Sequence, residues 1–389
     1  MIRLLDEFRC HFAMLRKHTI GLTRIFYTDH LRRLGKKGGY FAQTRIMTWA
    51  ICAHTARHQN ARSSLSHKLS RPHCHDQYQI FGFNSFYLVI LGGCSSFLIP
   101  ELCSNYITCI LITLAINAIL CVSLNLINGY MGEFSVGHGA FMAIGAYGSA
   151  IMTVKILPLI PFSLSSFLTF PLIVVVGGLL AALVGIPLAL LSFKTRGDYL
   201  AIITLAFLMI VKSALENISY VGGPRGFLGI PPLTTLPWVY FWAVVTFWIM
   251  RHFIHSKWGR SIVAIREDEI AAEAMGVSTR SAKMMTFVIS SFFAGIAGGL
   301  FAHQIQFINP SSFDILRSTN ILVMVYLGGV ASLSGSLVGA GVFTILYQIL
   351  QPLGVWRMVT MPLLLVLLMI FRPRGIMGYQ EWSCFKLKE

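Results

Sequence analysis

Residues 256–283, SKWGRSIVAIREDEIAAEAMGVSTRSAK, form a polar island between two apolar runs, 237–253 and 284–303. An island of this length separates membrane crossings. Its five cations (Lys257, Arg260, Arg266, Arg280 and Lys283) assign it to the cytoplasm by the positive-inside bias. Within it, EDEIAAEAMG (267–276) reads as a short helix. Acids stand in its first turn, where the helix dipole favours them, and Gly276 stands where a C-terminal stop belongs. The body of that helix is alanine and other small residues, a surface that a soluble partner can approach closely.

Working outward, the chain is 55% hydrophobic and 12% charged, with mean hydropathy +0.69. Soluble domains carry roughly 25% charged residues, so the composition defines a polytopic membrane protein. Apolar segments fall at 81–100, 106–127, 140–154, 171–193, 199–215, 237–253, 284–303, 319–332, 336–350 and 356–371. Most approach the roughly 17–25 residues a crossing requires; 140–154, 319–332 and 336–350 are shorter and read as half-helices, tilted pieces or re-entrant segments. The expected fold is all-α, with about 8–10 transmembrane helices, some of them broken or re-entrant. Taking all ten as crossings places both termini in the cytoplasm. The segments after residue 80 that are then internal hold 12 Lys and Arg, against 5 in the external ones.

Residues 1–79 are a different material. The first eighty positions hold 14 Lys and Arg against four acids, which is +10 of the chain's +16, together with eight of its twelve histidines. This basic, His-rich extension reads as a weakly ordered segment or as upstream sequence translated from a wrongly chosen start. The lesser alternatives are an arm facing anionic lipid, and a metal site formed by His54 and His58 with His73, Cys74 and His75. No metal site is expected in the rest of the chain, where the cysteines lack ligand spacing. No nucleic-acid partner is expected.

Polar residues are scarce inside the predicted spans. No carboxylate lies at the middle of one, whereas ion-coupled carriers usually need such a group. Three glycine-rich stretches interrupt the apolar pattern: NGYMGEFSVGHG (128–139), VGGPRGFLGIPP (221–232) and LGGVASLSGSLVG (327–339). The first reads either as a re-entrant element lining a pathway, with Glu133 and His138 as its polar features, or as a turn before a closely packed helix. The second is a defined loop that could dock an external protein or cover a pore. The third is a broken helix or a tight helix–helix contact. There is no G-x-x-x-x-G-K-[ST] loop, no H-E-x-x-H and no G-x-S-x-G, so neither ATP hydrolysis nor catalysis is expected of this chain.

Four stretches resemble the permease subunit, M-type, of branched-chain amino acid ABC importers. They are LNLINGYMGEFSVGHGAFMAIGAY (124–147), RGDYLAIITLAF (196–207) with GGPRGFLGIPP (222–232), WGRSIVAIREDEIAAEAMG (258–276), and LGGVASLSG (327–335) with RPRG (372–375). The resemblance spans about residues 85–378, so 80–378 is expected to be the permease domain and 379–389 a cytoplasmic tail. It implies an inner-membrane assembly of two related permeases, two cytoplasmic ATP-binding subunits that use ATP and Mg, and an extracytoplasmic substrate-binding protein. It also implies a coupling helix at Ala272, Glu273, Ala274, Met275 and Gly276, with Arg260, Arg266, Glu267 and Asp268 in the same stretch. Glu133 departs from the family, which commonly has a neutral, glutamine-like residue there. The expected function is import of branched-chain amino acids; the alternatives are urea or short amides, or ion-coupled carriage. Glu133, His138 and Asp198 are the pathway candidates.

Overall fold

The computed structural model describes residues 104–157, 166–192 and 199–356, with individual positions between 359 and 378. The basic extension, the expected crossing at 81–100, most of that at 356–371, Asp198 and the tail 379–389 lie outside the described residues. Among the described residues the chain forms ten α-helices: α1 Asn105–Asn125, α2 His138–Ile151, α3 Ser166–Ser192, α4 Tyr199–Asn217, α5 Leu236–His255, α6 Lys257–Glu267, α7 Glu269–Ala274, α8 Thr279–Ile305, α9 Ile315–Gly328 and α10 Leu333–Ile349. The β pairing among them is an isolated antiparallel bridge between Phe227 and Ile308.

Five helical stretches are long and apolar enough to cross a bilayer: Asn105–Met131, His138–Ile156, Thr169–Ser192, Tyr199–Asn217 and Thr279–Ile305. α10 is a shorter apolar helix, as the sequence predicts, and α9 has 14 residues. This is an all-α polytopic membrane architecture. The segment at 140–154 differs from expectation: wider π-type turns at Met152–Ile156 continue α2 and bring it to 19 residues, a crossing length. Similar turns at Leu126–Met131 lengthen α1 to 27 residues, about 40 Å at 1.5 Å per residue, which exceeds the hydrocarbon core.

In lipid there is no hydrophobic gain in hiding one apolar helix against another, so helices associate through close backbone packing and internal hydrogen bonds. Both devices are present. Gly145 of α2 lies directly on Gly295 of α8, Ser149 on Gly299, and Thr153 Oγ1 is 2.8 Å from His303 Nε2. α2 and α8 therefore run parallel and in step. α3 enters the same seam through Gly177, where an added Cβ would come 2.7 Å from the Gly145 oxygen. A second seam joins α1 to α10. Asn117 Nδ2 donates to Thr344 Oγ1 at 3.1 Å, and Asn125 Nδ2 donates to the Ser332 oxygen and to Ser336 Oγ at 2.9 and 2.6 Å.

The stretch at 327–339 shows why glycine recurs there. α9 ends at Gly328, the chain turns through Gly329 (φ 131°) and Ala331 (φ 60°), and α10 starts at Leu333. Gly328 rests against the backbone of Gly335 and Gly339 without room for a Cβ. Asn125 Oδ1 accepts from the Ala331 amide, and the Ile376 and Met377 amides donate to the Leu327 and Gly328 oxygens. Tight packing, with helices braced at the break, is the reading that fits.

Candidate functional site: a protruding knob wired to a break in the bundle

α5 ends at His255, and Ser256 caps α6 by accepting from the Gly259 amide. α6 buries Gly259, Ile262 and Ile265, a stripe at helical spacing, and leaves Arg260 exposed. Asp268, with extended backbone, then turns the chain. Its Oδ1 accepts from the Ile270 and Ala271 amides, both at 3.0 Å, capping α7. The expected helix at 267–276 is thus two elements: Glu267 is the last residue of α6, Asp268 is the corner, and α7 begins at Glu269. The reason is that Asp268 offers the amides of α7 a better partner than a continued helix would. Gly276, at φ 84°, ends α7 in the left-handed region that glycine adopts without strain, as its position in the sequence predicts.

α7 presents an apolar tip to its surroundings. Ile270 is 79% exposed and Met275 84%, and Ala271 and Ala274 are exposed beside them. Ala272 points the other way and is buried. Glu273 Oε1 accepts from Thr279 Oγ1 at 2.8 Å, across the turn into α8. Arg266 is also engaged within the chain: Nη1 donates to the Gly129 oxygen at 3.2 Å, and Nη2 to Glu267 Oε1 at 2.6 Å. Of the residues that sequence reasoning assigns to coupling, Arg260, Ala274 and Gly276 face outward. Arg266 reaches the Gly129 oxygen and pairs with the exposed Glu267, Ala272 is buried, Glu273 bonds to Thr279 at the start of α8, and Asp268 shapes the corner. Met275, which the resemblance places in the coupling helix, stands at the exposed tip, and Ile270 joins it there.

Above the knob, α1 ends and the chain runs non-helically from Gly132 to Val136 before α2 begins. Non-helical backbone at membrane depth is tolerated only when its polar groups are satisfied inside the protein. The Glu133 amide donates to the Ile127 oxygen, Ser135 to Asn128 Oδ1 at 3.2 Å, Val136 to Thr204 Oγ1 at 3.2 Å, and Gly139 to Ser318 Oγ at 3.0 Å. α1, α4 and α9 thus each contribute a side chain to hold this break. Gly132, at φ 77°, packs against the Arg266 side chain of the knob.

Lys283 joins the two features. It is buried on the first turns of α8, and its Nζ lies 2.7 Å from Glu133 Oε1 on the break and 2.8 Å from Glu269 Oε1 on α7. One ammonium therefore ties the knob to the α1–α2 break. Glu133, a pathway candidate on sequence grounds, is placed in this ion network. His138 opens α2 and is fully buried; Ser123 Oγ lies 2.8 Å from its Nε2, and its Nδ1 has no hydrogen-bond partner among the described residues. Asn128 Nδ2 and Ser135 Oγ are likewise buried and unpartnered there. The break therefore offers hydrogen-bonding capacity to a visiting solute or water. Asp198 lies outside the described residues, and no group of three or more metal-ligating side chains occurs among the described ones.

α8 carries the chain from the knob to the far end of the bundle. There Phe227 and Ile308 exchange backbone hydrogen bonds at 2.8 and 3.2 Å, and Lys155 Nζ donates to the Tyr220 oxygen at 2.6 Å. The 221–232 loop is thus a pinned structure, with Leu228 exposed at its tip.

Comparison with known proteins places this architecture in a class. Residues 106–371 match the family described as "Branched-chain amino acid transport system / permease component". The chain belongs to that family. It is 31% identical over 294 residues to the high-affinity branched-chain amino acid transport system permease protein LivM of Escherichia coli K12, covering 67% of each chain. It is 23% identical over 277 residues to a probable branched-chain amino acid transport permease protein LivH of Methanocaldococcus jannaschii, covering 64% of this chain and 84% of that one. A shorter match, 31% identical over 153 residues, is to BraD of Pseudomonas aeruginosa, covering 36% of this chain and 47% of that one. No solved structure matches.

Proposed function

We propose that this chain is the permease subunit of an ATP-driven importer in a bacterial inner membrane and forms part of the pathway for branched-chain amino acids. In this reading it pairs with a second, homologous permease. Two ATP-binding subunits grip α6 and α7 from the cytoplasm, using ATP and Mg that this chain does not bind, and an extracytoplasmic binding protein docks at the far end. Both termini are cytoplasmic. The family membership and the names of the relatives, which include both LivM and LivH proteins, support the solute and the paired permeases.

The observation that carries the mechanism is the exposed apolar tip of α7, joined through Lys283 to the α1–α2 break. Closure of an ATP-binding dimer beneath the knob would pull on Glu269, and through Lys283 on Glu133 and the non-helical segment, shifting α2 against α4 and α9. Energy arriving this way makes an intramembrane carboxylate unnecessary. Among the five long apolar helices only Glu216, next to the end of α4, is acidic, which weighs against ion-coupled carriage. The test is uptake of labelled leucine by proteoliposomes holding the full assembly. Uptake should require internal ATP and the binding protein; uptake by this chain alone, driven by an ion gradient, would refute the proposal.

A further inference from the structure

α9 begins between the first turn of α2 and the far end of the bundle, and its first turn carries the least expected charge in the molecule. Arg317 Nε and Nη2 are both buried, and neither has a hydrogen-bond partner among the described residues. The carboxylate closest in sequence is committed elsewhere: Asp314 accepts from the Ile315 amide at 2.7 Å and from Lys212 Nζ at 3.0 Å. What the guanidinium does have is an aromatic face, with its central carbon 4.8 Å from the centre of the Phe301 ring. Phe301 packs edge-on against Phe313, which in turn neighbours Tyr147 of α2.

The identity of the two orphan atoms matters. Nε–H and one Nη2–H point in the same direction and form the side-on fork of an arginine, matched to the two oxygens of a carboxylate. A cation–π contact engages the face of the guanidinium and leaves those edge donors open. Two buried donors without partners are costly, and the cost is recovered when a complementary group arrives. Both donors are enclosed by this chain in this structure, so a partner reaches them only when the bundle opens, as an importer must to pass its solute.

We propose that Arg317 is a substrate-carboxylate subsite: Nε–H and Nη2–H hold the two oxygens of an amino acid's carboxylate side-on, while Phe301 and Phe313 border its aliphatic chain. The inference rests on the amino-acid reading given above and adds the group through which this chain recognises the solute. Urea and neutral amides lack that group and would leave the fork unpaired.

The test uses the full assembly in proteoliposomes with saturating binding protein and labelled leucine. Wild type is compared with R317K, which keeps charge but loses the fork, and R317Q, which loses charge. Leucine uptake should fall about tenfold in R317K and about a hundredfold in R317Q, the scale for losing charge-assisted bidentate hydrogen bonds. The purified R317Q assembly should melt no earlier than wild type, because two unpaired buried donors of the guanidinium have been removed. Wild-type uptake in R317K would mean that charge alone suffices and would overturn the fork, as would wild-type uptake in R317Q. Losses that track an earlier melting transition would reassign Arg317 to structure and overturn the proposal. Absence of leucine uptake in the wild-type assembly would instead refute the amino-acid reading, and this inference with it.

Discussion

The chain breaks its helices in two described places that are alike in composition and unlike in construction. The break at 329–332 is closed: Gly328, Gly335 and Gly339 bring α9 and α10 into backbone contact, and Asn125 staples the turn from α1. The break at 132–136 is suspended instead: past the Glu133 amide its Ser135 and Val136 amides hang from single side chains on α1 and α4, and its one charge is held by Lys283, which also holds the knob. Glycine density alone does not distinguish a rigid brace from a movable joint. What distinguishes them is whether the backbone meets backbone, which cannot yield, or meets side chains, which can exchange partners.

The comparison can be broken most severely at the brace. Gly339→Leu forces a side chain between two backbones and should cost about 3 kcal/mol, seen as loss of monodisperse assembly on size exclusion. Asn125→Ala should come next: it leaves the Ala331 amide without its acceptor and removes two donated bonds, an expected loss of about 2 kcal/mol in a thermal or denaturant midpoint. At the joint the stability effect should be smaller and the functional effect larger. Lys283→Met leaves Glu133 and the half-exposed Glu269 unpaired, about 1–2 kcal/mol once screening is allowed for, yet it should uncouple ATP hydrolysis from leucine uptake. Equal uptake per ATP in the variant and wild type would sever the proposed link. Thr204→Val removes one hydrogen bond to the Val136 amide, about 1 kcal/mol, and should slow uptake only modestly.

Much of this was legible in the sequence, because it depends on near neighbours along the chain. Apolar runs marked the helices, the polar island marked the knob, and Gly276 marked the stop of α7. The links between distant parts were not legible. Lys283 and Glu133 are separated by 150 positions and look like two ordinary loop charges until the fold brings them to 2.7 Å. The same holds for Asn125, whose partners lie more than 200 positions away. The split at Asp268 was hidden because a helix dipole and a helix cap both place acids at that point. Arg317 reads simply as an external charge; it is distinguished by two buried donors that have no hydrogen-bond partner among the described residues.

The account turns on the knob being the surface that a cytoplasmic subunit grips. A single thiol at Met275→Cys, in a background cleared of exposed Cys109 and the chain's other cysteines, reports on this directly in intact membranes. Position 275 is predicted to crosslink to the ATP-binding subunit, with a yield that changes when ATP is added. Labelling of that thiol from outside the cell by a membrane-impermeant maleimide, with no crosslink inside, would contradict the account.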